Sequence, residues 1–478
     1  MNPAERILEF FEGVSAIPRC TGNEEGIRTW LEQWADARGL SHTVDAIGNI
    51  VIRVPASLGY EDHPTVILQG HLDMVCQKTD DSSHDFLRDP IRLIRDGDWL
   101  HAERTTLGAD NGIAIALMMA LAEDGSVAHP PLELLLTVSE EQGVVGADNL
   151  DPALVTGKTL VNLDSEHEGI FTIGCAGGVS VNINLPVTRE ASGQEDVVFK
   201  VQVDGLRGGH SAEDINKRRA NANVLIARIL DDLARRADIR LSTLSGGTAR
   251  NAIPRKAVSV FTCPSQQSLA CRSAFSAMAA DLLTEYRNDE PAVSLDLLEL
   301  EKQSIAVISR SQTTTAIRLL VALPNGVASM SKAVPGFVET SNNIGVVELG
   351  AASLSIVSSN RSAVFSRIEE ITRRVEALTS LAGASSERTR MFPPWKPRPA
   401  SPLLDACLAA YHTASGQDGS VELAHGGLEC GIISDRCGGL DAVSMGPTIE
   451  GLHSPDERLS VSSLSRTWEF IVTLLASL

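Results

Sequence analysis

Three apolar runs in the first part of the chain each stop at ionisable residues: TVILQG (Thr65–Gly70) at His71, LELLLTV (Leu132–Val138) just before Glu140 and Glu141, and TLVNL (Thr159–Leu163) at Asp164. Nearly unbroken apolar runs of this length suit strands buried on both faces, as in a sheet covered by helices. Between the first two, Ile113–Ala122 reads as a helix, opened by Gly108-Ala109-Asp110-Asn111-Gly112 and closed near Gly125. An amphipathic helix precedes them at the start of the chain, with Ile7, Leu8, Phe10 and Phe11 forming its apolar side. Helices alternating with strands from Ile7 to about Val187 predict an α/β domain.

Past Leu185-Pro186 the pattern changes. Phe199–Gly205 alternates as a half-exposed strand does. A long helix follows with Ile226, Ile229, Leu230 and Leu233 on one face, then Ala257–Thr262, a helix near Ala274–Tyr286, and Ala292–Leu298. A second, similar series runs from Thr314 to about Leu381, so this section reads as an α+β domain of two related halves. Met391–Pro402 is proline-rich and reads as a linker back to the first domain. Helices over Leu403–Ser415 and Val461–Leu478 then complete the α/β unit. The expected organisation is a first domain in two parts, residues 1–187 and 393–478, with an insertion over 188–392. A chain of 478 residues exceeds one ordinary hydrophobic core, which agrees with this division.

The charge balance limits the partners. With 61 acidic and 41 basic residues the net charge is −20, a surface that repels phosphate backbones and anionic membranes. No apolar run reaches the roughly 18 residues of a membrane span, and the first helix lacks the features of a signal peptide. The eight cysteines are scattered without a CxxC pair, which predicts reduced thiols in the cytosol.

The chemistry collects where strands end, which is where α/β sheets place ligand sites. His71 and Asp73 lie two apart on extended chain and face the same way. Asp73 can therefore hold the second nitrogen of His71, as metal-binding histidines require. Asp110 stands at a loop-to-helix junction, where, taken alone, Asp110 or Asn111 reads first as a cap of the helix beginning near Gly112. Glu140 and Glu141 have diverging side chains, so one can bind metal while the other holds water. Asp164 and, near the C-terminus, His453 complete a carboxylate–imidazole set suited to zinc, manganese or cobalt. Five ligands exceed one tetrahedral ion and serve two if one carboxylate bridges.

The stretches GHLDMVCQK, TTLGADNGIAIA, SEEQGVVGADNL, NLDSEHEG, GGHSAEDI, HGGLECG and GPTIEGLHSPDERL, in this order from Pro18 to the C-terminus, resemble those of the M20 metallopeptidases in their aminoacyl-histidine dipeptidase branch. The resemblance implies a zinc-exopeptidase-like catalytic domain, its mixed central sheet flanked by helices, with an inserted α+β lid and dimerisation domain. It implies two zinc ions per subunit, replaceable by Mn2+ or Co2+. His71, Asp164 and bridging Asp110 would hold one; Asp110, Glu141 and His453 would hold the other. Asp73 matches the residue that orients the first histidine, and Glu140 the general base acting on water. His210 resembles a histidine that crosses a homodimer to steady the oxyanion. Asn251, Arg255 and Arg361 are candidates for the substrate carboxylate, and Glu429 for its amino end. The implied substrates are dipeptides, Xaa-His among them, in the cytosol.

Overall fold

The computed structural model describes residues 3–301, 303–332, 334, 336–398 and 400–478. The chain forms two compact units, one of Met1–Cys175, Trp395–Ala424 and Leu428–Leu478, the other of Ala176–Pro394 and His425–Gly427.

The first unit is built on an eight-stranded mixed sheet. Its strands run in the order Ser41–Val44, Ile50–Val54, Leu132–Thr137, Val66–His71, Thr159–Asn162, Asp441–Ser444, Ile170–Cys175 and Ser420–Ala424. The three apolar runs of the sequence are adjacent strands, and Val66–His71 pairs in parallel with the other two. Every residue of Val66–His71 and of Leu132–Thr137 is buried, as an internal strand covered on both faces requires. Parallel pairing brings the carboxyl ends of these strands to one edge, with His71 opposite Thr137 and Gln69 opposite Asn162.

The helix Ala109–Glu123 packs against Val66–His71, and Ile113 through Leu121 are buried without a break. Such a helix, apolar all round, belongs to the interior. Pro3–Ser15 covers it, and Val461–Leu475 packs against both Pro3–Ser15 and Pro402–Ser415. Phe171, Tyr411 and Phe470 meet in the resulting core with ring centroids 5.4–6.1 Å apart.

The second unit carries an antiparallel sheet of nine strands with the helices Ala222–Arg236, Ser268–Tyr286, Arg310–Ala322 and Phe365–Leu381. Both strand–helix series of the sequence contribute to this single sheet, joined where Arg240–Gly246 pairs with Val338–Leu349. The expected boundary near 187 lies at Cys175/Ala176, because Gly177–Pro186 pairs along its whole length with Ser353–Ser362. The first five residues of that strand are buried and the rest alternate between exposed and buried, and its sheet partner lies far along the sequence.

One expectation about the cysteines is corrected. Cys20 and Cys76, 56 residues apart, are joined in a disulfide, while the other six are buried and form no disulfide. The segments holding the two already lie side by side through the Cys20–Met74 bridge, a proximity that sequence spacing does not reveal.

Candidate metal centre

The five expected ligands of the first unit lie in one cluster at the carboxyl edge of its sheet. Asp110 is central. Its Oδ1 is 3.0 Å from Nε2 of His71 and its Oδ2 is 3.1 Å from Nε2 of His453. Asp164 approaches the same His71 nitrogen at 3.4 Å, and Glu141 the same His453 nitrogen at 3.1 Å. The cluster divides into two halves sharing one carboxylate. Ligand atoms of His71, Asp110 and Glu141 all lie within 4.8 Å of one another. Two imidazoles and three carboxylates without a thiolate suit a pair of borderline or hard divalent cations. Oε1 of Glu141 is buried with no hydrogen-bond partner among the described residues, a lone pair free for a cation. The residues present fit the metals that the resemblance implies.

Asp73 lies behind His71. Its Oδ1 is 3.3 Å from Nδ1 of His71 and its main-chain carbonyl 3.1 Å. The same carboxylate accepts the N–H of Glu140 at 2.9 Å, the N–H of Glu141 at 3.2 Å and the Thr21 hydroxyl at 2.8 Å. Wholly buried and so bonded, Asp73 stays ionised, since its hydrogen bonds and the nearby imidazole outweigh the cost of burial.

The remaining carboxyls feel one another. Burial, with the charges of Asp164, Glu141 and Glu429 added and His71 opposing, holds the Glu140 carboxyl well above the usual range. Burial likewise raises Asp164 to about 6, against the pull of His71. His453 is pushed up to about 11 by its hydrogen bonds to Asp110 and Glu141. This density of perturbed groups marks a functional site.

Asp110 and Asn111 do not cap their helix. The Asn111 side chain instead accepts the His71 N–H and donates to the carbonyl of Leu163, tying two strand ends together. The cap comes from Glu457, a residue sequence reasoning missed. Its carboxylate accepts the N–H groups of Leu107, Gly108 and Asp110 at 2.9, 3.0 and 3.2 Å. A position four residues past His453 was the only signal in the sequence.

Glu429 is fully buried beside the cluster. Its Oε2 accepts from Gln69 at 2.6 Å and from Thr137 at 2.7 Å, and burial raises its carboxyl to about 7. Its Oε1 has no hydrogen-bond partner among the described residues.

The other expected site residues belong to the second unit. Asn251, just before the strand Ala252–Ile253 that pairs with Gly209–His210, has Nδ2 3.5 Å from Nε2 of His210. Arg255 donates to the carbonyl of Leu206 at 3.1 Å. Arg361 is buried, over the ring of Phe392. It neighbours His425, whose Nε2 is 2.8 Å from the Ser341 hydroxyl.

Comparison with known proteins agrees with this arrangement. Residues 199–290 match the M20 peptidase dimerisation domain. The cytosol non-specific dipeptidase of Escherichia coli (strain K12) is 38% identical over 469 residues, covering 98% of this chain and 96% of that protein. The crystal structure of aminoacylhistidine dipeptidase from Vibrio alginolyticus superposes with a TM-score of 0.87 at 36% identity, over 99% of this chain and 96% of that one. An aminopeptidase from Bacillus cereus shares the fold at a TM-score of 0.62 and 17% identity, over 99% of this chain and 98% of its own. With more than a third of its residues identical to a dipeptidase along nearly the whole of both chains, this protein belongs to the dipeptidases of the M20 peptidase family.

Proposed function

We propose that this protein is a dipeptidase that uses two divalent cations, zinc first among them, and cleaves Xaa-His substrates including β-alanyl-histidine. The observation that carries this reading is Asp110, whose two oxygens face two histidines, each accompanied by a further carboxylate. His71, Asp110 and Asp164 would hold one cation; Asp110, Glu141 and His453 the other. Bound there, the cations supply Lewis acidity toward the scissile carbonyl and make water more acidic.

The chain's own groups do the rest. Glu140, with its raised proton affinity, takes a proton from the attacking water and returns one to the leaving amine. Asp73 fixes the orientation of His71. His210 steadies the oxyanion, acting across a homodimer formed through the second unit. Asn251, Arg255 and Arg361 are the groups for the substrate's terminal carboxylate, which a guanidinium meets in fork geometry. Glu429 receives its amino end. Substrates held at both ends are short, and the substrates named for the two similar dipeptidases support that class. The protein acts in the cytosol, without nucleic acid or membrane as a partner.

The test is hydrolysis of β-alanyl-histidine, several α-Xaa-His dipeptides, other dipeptides, tripeptides and N-acyl amino acids, before and after chelation and zinc return. Dipeptide cleavage lost with chelator and restored by zinc supports the reading. Cleavage confined to tripeptides or N-acyl amino acids overturns the substrate class. A monomeric mass at working concentration removes the role of His210 across a dimer.

A further inference from the structure

Arg19 is the largest polar side chain inside the first unit, only 2% exposed. Nη1 donates to the carbonyls of Leu72 at 3.1 Å and Asp73 at 2.9 Å, and Nη2 donates to the carbonyl of Gly108. Its own carbonyl accepts the N–H of Met74 at 3.1 Å, so the residue is bound to the segment after His71 through both side chain and backbone. Burial lowers the guanidinium to about 10, with Glu457 the foremost of the charges opposing that shift, so it remains charged at neutral pH.

Gly108 is bonded on both sides. Its carbonyl takes Arg19, and its N–H goes to Glu457, itself 2% exposed. The turn that delivers Asp110 is therefore held between a buried guanidinium and a buried carboxyl group, whose pKa burial raises to about 7. Glycine is needed there: at φ +70 a Cβ would lie 2.6 Å from Nη2 of Arg19 and 2.7 Å from Sδ of Met74. Gly112, one helical step on, leaves room for the same guanidinium.

Three segments with metal-ligand candidates thus meet on two side chains that are not ligands. Arg19 holds the His71–Asp73 segment to Gly108. Glu457 holds the Leu107–Asp110 turn to the loop of His453, four residues before it. The Asp73 carbonyl that Arg19 grips is also the one 3.1 Å from Nδ1 of His71.

We propose that Arg19 and Glu457 are positioning residues, a buried guanidinium–carboxylate frame that sets the separation of His71, Asp110 and His453 and so fixes the spacing of the two cation sites. The proposal rests on the two-cation reading above. It assigns the frame to the assembly of both sites at once, since each member touches the turn that carries the shared ligand.

The experiment compares full-length wild type with Glu457→Gln, Arg19→Lys and Arg19→Met. Glutamine keeps an oxygen for the three N–H groups and removes the charge; lysine keeps the charge and loses the fork. Each metal-free protein is first checked by circular dichroism and thermal melting. Co2+ is then titrated while its visible absorption is followed, and kcat and KM are measured on a dipeptide after zinc loading. Expected for Glu457→Gln is a metal-free melt close to wild type, a drop in Co2+ affinity of at least tenfold and an altered absorption band. Its kcat should fall at least tenfold while KM moves less than threefold. Arg19→Lys should recover part of what Arg19→Met loses.

Wild-type Co2+ affinity and spectrum in all folded variants overturns the frame. So does a loss that merely follows the folded fraction. Altered Co2+ binding in the variants supports the frame even where wild type cleaves no dipeptide, so a wrong substrate class is told apart from a wrong frame. A wild type that binds no Co2+ overturns both readings.

Discussion

The carboxylate of Asp73 accepts the backbone N–H of Glu140 at 2.9 Å. One buried side chain therefore sets both the ring of His71 and the turn that presents Glu140 and Glu141. Asp73→Asn puts an amide where three donors and an imidazole converge. The expected result is divalent-cation affinity reduced about ten- to a hundredfold, as for other carboxylates behind a ligating histidine. Metal content after equilibrium dialysis checks it, and a fully loaded variant would show that Asp73 does not orient the ligand.

Glu140 lies beside the ligand cluster with its proton affinity raised, yet the metal-ligand group found among the described residues, His71, Asp110 and Glu141, leaves it out. Glu140→Gln is expected to retain wild-type metal content while kcat falls by about 10²–10⁴. Turnover near wild type in the loaded variant removes it from the proton transfer.

His425 supplies a pH signature of stability separate from the ligand cluster. Burial, then the charge of Arg361, lowers its pKa from 6.5 to about 3. Between those values the unfolded chain binds a proton that the folded one refuses, so stability rises with pH across that window. The contribution is complete above pH 6.5 and is lost as pH falls toward 3, at a slope of at most about 1.4 kcal/mol per pH unit. The melting temperature of His425→Gln should converge on that of wild type between pH 7.5 and about 5. A constant difference over that interval excludes a neutral buried histidine.

Phe171 is 1% exposed, against Tyr411 and Phe470. Phe171 stands more than two hundred residues before the other two in the chain. Phe171→Ala should cost the first unit about 3–5 kcal/mol, by lost burial and the cavity left behind. Urea unfolding followed by tryptophan fluorescence measures it, and a change below about 1 kcal/mol would mean the neighbouring rings close over the gap.

Much of the first unit was legible because its sheet is buried on both faces. Val66–His71 and Leu132–Thr137 are unbroken apolar runs, so their ends, and the ionisable residues found there, could be placed without a structure. What remained hidden depended on contacts between distant segments. Arg19 looks like any arginine after a proline, and Glu457 like any acid in a polar loop; their burial comes only from the packing of three loops on Gly108. The same holds for Cys20 and Cys76. The helix Ala109–Glu123 starts before the expected Ile113 because its first N–H groups find a carboxylate more than three hundred residues away. The strand Gly177–Pro186 was assigned to the wrong unit because its neighbour in the sheet, Ser353–Ser362, follows much later.

The strand Asp441–Ser444 sits inside the first unit's sheet, between Thr159–Asn162 and Ile170–Cys175, rather than at its edge. A ribosome therefore emits seven of the eight strands before the piece that joins the two groups has been made. Without that piece the sheet falls into groups of five and two strands, and His453 has not yet been added. The second unit, whose sheet is complete by Phe392, can fold during this interval. Completion of the cluster thus waits for the segment from Asp441 to His453, and a chain cut short before Asp441 lacks both the joining strand and one of the five expected ligands.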